Sequence, residues 1–361
     1  MSEDELSNEQ LEIKDPLLVS CPNTGGLVYV HGKSHLTISY SDVTGISNYD
    51  GGFLWVLQSD GARSLQMLGD DGIKTIELDK DYIDLHDVLV SGDDIYAVHT
   101  ETNDVVKYNK NFEEVDRWGL KGELDSAHIN CITIYKGRLV ASVFGAFSQY
   151  REYKKGTKEL GLVIDIQTKE TLISGLSQPH SLHADGNVLY LCNSETNELL
   201  IFSDEVLNSR IQLPGYARGL AISEGYIYVG LSRSRNVSNS EGISQATIAV
   251  ICRDGLKLEG VTTIPFSEIY DIKLLGDKSD YILKVMMEYR KNDTELTALV
   301  NERLSGRDEY DRLLKDYEKS HDAYLSTKAA YDKTHDAYKQ TKSAYDKKCE
   351  EIERYKRRYA R

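Results

Sequence analysis

One phrase recurs along the chain: a polar residue, a short apolar run, a turn rich in Gly, Asp or Asn, and a second apolar run. It opens at Thr44 (TGIS before GGFLWVLQ), His86 (HDVLV before IYAVHT) and Asn130 (NCITI before RLVASVF). It returns at His180 (HSLH before VLYLCNS), Arg218 (RGLAI before YIYVGLS) and Tyr270 (YDIKLL). The intervals are 42, 44, 50, 38 and 52 residues, close to the ~40–50 residues of a four-stranded propeller blade. Each period holds two further strand-like runs, such as DVVKY and EEVDRW after His86. Four strands in each of six periods predict an all-β six-bladed β-propeller.

Closure is a check on that count, because an unjoined first or last blade would leave bare strand edges. Only one strand is evident after Tyr270, and three surplus strands, PLLVSC, GGLVYVH and HLTISYS, precede Thr44. The expectation is a propeller over 15–280 whose incomplete last blade is completed by the N-terminal strands, after an acidic disordered tail at 1–14. The alternative is a pair of stacked β-sandwiches, which seldom repeat so regularly.

Composition separates this part from the C-terminal segment. Residues 1–302 carry 27 Lys+Arg against 46 Asp+Glu, and residues 303–361 carry 16 against 12, within a net charge of −15 over 361 residues. Such an acidic balance argues against a nucleic-acid partner. There is no apolar run of membrane-spanning length, and the acidic start MSEDELSNEQLEIK has no signal core, so a cytoplasmic location is expected. Five scattered cysteines, none in CxxC spacing, read as free thiols.

In an up-and-down blade, the loop entering the innermost strand and the loop between strands two and three emerge on the same rim. The openings of the six phrases should therefore form one ring at the mouth of the central channel: Thr44, His86, Asn130, His180, Arg218 and Tyr270. Asp87 and Asp271 follow two of these, and His128 and His183 lie within three residues of two others. Two of the rim loops carry the same Glu-Thr-Asn turn, at 101–103 and 195–197, and two are long: GAFSQYREYKKGTKEL and SRSRNVSNSEGISQ. Insertions on one face of a repeat fold usually build its binding surface. These loops bring Tyr150, Arg151, Lys154, Lys155, Arg233 and Arg235 toward Arg218, a cationic patch suited to an anionic, carbohydrate-related ligand. The same groups could equally be bonded to water and backbone.

His86, with Asp87, or His180 could act as a general acid or base, since imidazole titrates near neutrality. His86 and His180 with His128 or His183 are permissive for a metal without being diagnostic of one, and no metal or cofactor is expected. There is no nucleophile elbow, P-loop, dinucleotide fingerprint or HExxH.

The segments GLSQPHSLH (175–183), LPGYARGLA (213–221) and VGLSRSR (229–235) resemble a family of bacterial β-propellers known only as conserved hypothetical proteins, or a domain of unknown function. Its members occur fused to, or encoded near, glycosyltransferases and polysaccharide genes. The resemblance covers roughly residues 16–276. It implies a surface-carbohydrate context and favours His180 and Arg218 as site residues, and it carries no established activity. The C-terminal segment is not part of the family pattern.

That segment has its own logic. Within a connecting helical segment over 281–307, Asn292 and Glu295 form a capping-box pair ahead of LTALV, and that short helix stops near Gly306. From 308 to 361, tyrosine recurs every seven residues at Tyr310, Tyr317, Tyr324, Tyr331, Tyr338 and Tyr345, with Ile352 in the next place. A strict heptad predicts a C-terminal α-helical coiled coil, here with a weak Tyr and Ser/Thr seam. With no Gly or Pro after Gly306, about fifty residues make a rod of ~75 Å whose apolar stripe needs another chain. Self-association into a homo-oligomer is the expectation; a coiled-coil partner and a lone charged helix are the alternatives. The basic, aromatic end ERYKRRYAR could touch anionic lipid at the inner membrane, or simply suit its helix dipole.

The function expected from these features is a non-catalytic binding and assembly protein. Its propeller would hold a carbohydrate-related or protein ligand, and its rod would multimerise it within surface-glycan biosynthesis, beside a glycosyltransferase or other glycan-assembly protein. The alternative is an enzyme (hydrolase, lyase or transferase) acting on a sugar conjugate at the channel mouth.

Overall fold

The protein is described from a computed structural model over residues 11–23, 25–58, 64–69, 72–78, 84–232 and 245–276, with 341–342 and 347–348 in helical conformation near the C-terminus. The chain divides into two units, Met1–Lys291 and Asn292–Arg361. The expected connecting segment at 281–307 lies outside the described residues, as do all the heptad tyrosines from Tyr310 to Tyr345 and Ile352.

The first unit is a six-bladed β-propeller of six four-stranded antiparallel sheets. Blade 1 joins Ile13–Cys21, Gly26–Gly32 and Ser34–Ser39 to the last strand, Asp271–Leu274. Blades 2 to 6 follow in chain order, with innermost strands Val43–Tyr49, Leu85–Ser91, Ile129–Tyr135, Pro179–Asp185 and Tyr216–Ile222. These five and Asp271–Leu274 pack side by side around the axis. The ring is closed by the pairing of Leu17–Ser20 with Leu274–Asp271. The first strand starts at Ile13, three residues before the PLLVSC run and inside the expected disordered tail, because Ile13 is wholly buried and pairs with Gly32 across a bulge.

No single core exists. Six apolar layers lie one between each pair of adjacent blades, and the layer across the closure contains Val19, Ile248, Val250 and Ile272, all fully buried. Alternating apolar residues on both faces of a blade strand are what this arrangement demands, since each sheet is covered on two sides. The closure is also held by Tyr228 of blade 6, whose hydroxyl donates to Asp15 Oδ2 at 2.7 Å. Cys21, Cys131, Cys192 and Cys252 are free thiols. Among the described residues no helix is long and apolar enough to cross a membrane.

Candidate functional site at the channel mouth

The geometry of the mouth begins with a repeated defect. In blades 2 to 6 the register between the innermost strand and its neighbour breaks near the start of the strand, at Val43/Ile46, Leu85/Val88, Ile129/Cys131, His180/His183 and Ala217/Leu220. A bulge redirects the side chains it contains, and Thr44, His86, Asn130 and Arg218 lie within these breaks. In blade 1 Tyr270 directly precedes its strand.

These residues meet. The Tyr270 hydroxyl crosses the axis from blade 1 to the opposite blade 4 and donates to Asn130, whose backbone O lies at 3.0 Å and Oδ1 at 2.9 Å. The Arg218 guanidinium lies 4.3 Å from the centre of the Tyr270 ring, a cation–π contact, and the His86 ring meets the same tyrosine edge-on at 6.1 Å. From His86 the aromatic floor continues to His128 at 5.2 Å, then to Phe144 at 4.4 Å, His180 at 5.3 Å and Tyr216 at 5.8 Å. Tyr270 and this floor close the channel.

The rim charges differ from the cationic patch expected from the long loops. Arg151, in the left-handed region before the short helix Glu152–Lys155, bonds Asp125 Oδ2 at 2.6 Å and lies 3.7 Å from Glu101. Asp125, 1 % exposed, also accepts from Tyr153 at 2.8 Å and contacts His128 Nδ1 at 2.8 Å. Arg218 lies 3.7 Å from Glu268, and His86 lies 3.5 Å from Asp84. Both arginines thus face carboxylates, while Lys154 and Lys155, also expected in the patch, stand exposed on the short helix after Arg151. Arg233 and Arg235 lie outside the described residues.

Burial would raise the Asp84 carboxyl, but the charges of His86, His128 and Arg151 pull it down to about 2. Burial lowers His128, against the Asp125 carboxylate, and lowers His180 much further, with Arg218 adding to it. His180 is 4 % exposed, and its Nδ1 lies 2.9 Å from Gln178 O and 2.8 Å from Ser194 Oγ. It is a neutral imidazole fixed in the floor, poorly placed for the acid–base role expected of it. His86 does not pair with Asp87.

Asp87, Asp271 and His183 belong elsewhere. They line a cavity of about 270 Å³ in the other half of the channel, together with Lys273. Asp271 Oδ2 accepts from Ile46 N at 3.0 Å, Asp87 Oδ2 from Ile132 N at 2.9 Å, and Ser181 Oγ from Gly219 N at 2.7 Å. Blades 1, 3 and 5 each pin the backbone of the next blade, a three-fold pattern within the six-fold ring. The receiving strands carry Gly45, Cys131 and Gly219 at the matching position, and a Cβ on Gly45 would lie 2.6 Å from Asp87 Cα. The imidazole triad conceived for a metal does not assemble. Phe144 separates His128 from His180, His183 is in the other half, and among the described residues no group of three His, Cys, Asp or Glu side chains is arranged for an ion.

Four ring residues keep buried polar atoms without hydrogen-bond partners among the described residues: Thr44 Oγ1, His86 Nδ1, Asn130 Nδ2 and Arg218 Nε. Orphaned buried polar atoms are costly and call for an explanation in each case. Sequence reasoning missed Asp84, Asp125, Glu268 and Lys273. The first three stand in irregular connections with no repeated phrase, although the spacing of Asp84 and His86 matches that of Asp271 and Lys273, an acid two residues before a base.

The model of a domain of unknown function, DUF4915, matches residues 75–281. The chain belongs to that family. The DUF4915 match starts in the outermost strand of blade 2 and runs past the closing strand, so it takes in every ring position except Thr44. No curated protein matches. Among solved structures, a protein of unknown function from Bacteroides caccae is 12 % identical over 72 % of this chain and 98 % of its own, with a TM-score of 0.52. The nidogen/laminin complex gives 12 % identity over 72 % and 98 %, with a TM-score of 0.54. At such identities the likeness is one of fold.

Proposed function

We propose that this DUF4915 propeller is a binding and assembly module that holds an uncharged or amino-substituted sugar, or a comparable hydroxyl-bearing group, on the floor of the channel mouth. The observation that carries the reading is the set of orphaned atoms on Thr44, His86, Asn130 and Arg218, which offer donors and an acceptor over an aromatic floor. Sugars suit such a surface because their hydroxyls both donate and accept and their C–H faces pack on rings. Arg151 and Arg218 already face Asp125 and Glu268, which favours a neutral or amino sugar over the anionic ligand expected from the loop arginines. The heptad tyrosines support a second part of the proposal, multimerisation through a coiled coil so that several weak sites act together. A place in surface-glycan assembly beside a glycosyltransferase, with the basic C-terminus near the inner membrane, is the setting we propose on the family resemblance.

Calorimetry of the full chain with neutral, amino and uronic monosaccharides and short oligosaccharides tests this. The expected result is binding of neutral or amino sugars, lost in His86→Phe and Arg218→Met, with no turnover. Preference for uronates would refute the ligand class, and turnover abolished by His128→Ala would favour the enzyme reading, for which the His128–Asp125 pair is the supporting geometry. Light scattering of the full chain against a chain ending at Lys291 tests the rod: an oligomer and a monomer are expected, and two monomers would refute it.

A further inference from the structure

We infer that the half of the channel behind Tyr270 is a second ligand site, for a small organic cation bearing a primary ammonium or guanidinium group. The cavity lies beyond the Tyr270–Asn130 bridge, lined by Tyr270 and by residues one to four positions further along the innermost strands than the mouth ring. His183 and Ala184 line both this cavity and an open groove at the turn Ser223–Gly225, on the face opposite the long loops.

Its polar lining is unequal. Asp271 has a counter-ion, Lys273 Nζ at 3.0 Å from Oδ2, as well as backbone donors at Ile46 and Ile272. Asp87 is 7 % exposed and accepts from Val88 N at 2.9 Å and Ile132 N at 2.9 Å, and among the described residues no basic side chain lies within ion-pair distance of it. Two carboxylates therefore share one ammonium. A buried carboxylate without a counter-charge is held at high cost and resolves it by taking a proton or a cation. The remaining titratable groups facing this space do not supply the charge. His183 is lowered to about 4 by burial and by Lys273, so it is neutral at pH 7, burial raises the Cys131 thiol to about 12, and burial also raises Tyr270 well above the usual phenol range. Blades 2 and 6 contribute uncharged groups, among them Ser47 and Leu220. Burial first, and the Asp271 charge second, raise Asp87 well above the usual carboxylate range, the direction expected of a site waiting for a proton or a cation.

The cavity volume suits a molecule of a few heavy atoms, and one ammonium placed against Asp87 would complete a neutral set of two carboxylates and two cations. Because that cation competes with a proton for Asp87, its affinity should climb about tenfold per pH unit while Asp87 is protonated and level off above that range.

The test is calorimetry of the full chain with ethanolammonium and with guanidinium from pH 5 to 9, in buffers of different ionisation enthalpy, with glycerol as the uncharged control. Expected are binding that strengthens with pH, release of about one proton per bound cation at the acid end of the range that fades where the affinity levels off, and a loss of about tenfold or more in Asp87→Asn. Lys273→Gln, which leaves Asp271 without its partner, should bind the cation more tightly, and this variant keeps the proposal falsifiable if Asp87→Asn fails to fold. Arg138→Gln, an exposed side chain of blade 4 paired with Glu170, should bind it unchanged. Absence of cation binding at pH 9, binding insensitive to pH, weaker binding in Lys273→Gln, or glycerol binding as well as the cations would each overturn the proposal.

Discussion

Replacing Tyr270 by Phe removes one oxygen from the floor of the mouth and nothing else. The ring stays beneath Arg218, so the cation–π contact at 4.3 Å is kept and no cavity of any size is made. What is lost is the hydroxyl that donates to Asn130 across the axis, where Asn130 is 1 % exposed and its acceptors have no easy access to water. Leaving a buried acceptor unsatisfied costs about 1–3 kcal/mol, more than the net worth of the bond. Tyr270→Ala should cost several kcal/mol more, because it also deletes a buried ring. The assay is urea denaturation followed by the fluorescence of Trp55 and Trp118, in blades 2 and 3, with the slope expected to stay constant and the midpoint to fall. A change below about 0.3 kcal/mol in Tyr270→Phe, the error of such comparisons, would mean that the hydroxyl is hydrated. The channel would then not be plugged at this point.

Three further outcomes are expected from the same contacts. Gly45→Ala should destabilise the propeller by about 1–3 kcal/mol or more, because its Cβ meets the backbone of Asp87 in the next blade, whereas Gly225→Ala, with open space around it, should be near neutral; thermal unfolding of the pair checks this. Asp87 is raised in the folded state, so the fold holds a proton that the unfolded chain releases, and this contribution is lost as pH rises from the ordinary carboxylate range toward neutrality. His183, lowered to about 4, acts oppositely, adding stability as pH rises from about 4 to its unfolded value, so the contrast must be drawn between variants: wild type should lose more melting temperature from pH 5 to 8 than Asp87→Asn, and parallel curves would refute it. Asp125→Asn removes the charge and one of the two oxygens that serve Arg151 and Tyr153 on one side and His128 on the other, and should expose the 150–156 turn to limited proteolysis at least several-fold faster, while an unchanged digestion pattern would show that the loop is held otherwise.

The blade count was legible because each blade begins with the same physical requirement. A polar residue enters the channel, apolar residues come next to fill the layer to the neighbouring blade, and the period cannot drift without breaking every layer. Closure was legible for a related reason, since PLLVSC, GGLVYVH and HLTISYS had no blade of their own. Proximity in depth was not. His86 and Asp87 are neighbours in sequence, yet both lie in the register break between Leu85 and Val88, where a bulge redirects side chains, so His86 serves the mouth and Asp87 pins blade 4 from the far half of the channel. The neutralising acids were equally hidden. Asp84, Asp125 and Glu268 sit in connections of differing length, and only the folded ring brings them to Arg151, Arg218 and His86. A patch judged from loop arginines alone therefore overlooked the carboxylates that Arg151 and Arg218 face.

The central claim is that the mouth, and not the far half of the channel, is where a hydroxyl-bearing ligand is held. The direct test is side-chain NMR of the full chain with ¹⁵N-labelled histidine, titrated with a panel of neutral and amino sugars. The account predicts that His86 and His128 resonances shift in a saturable way while His183 stays still. Shifts confined to His183, or none with any sugar, would contradict it.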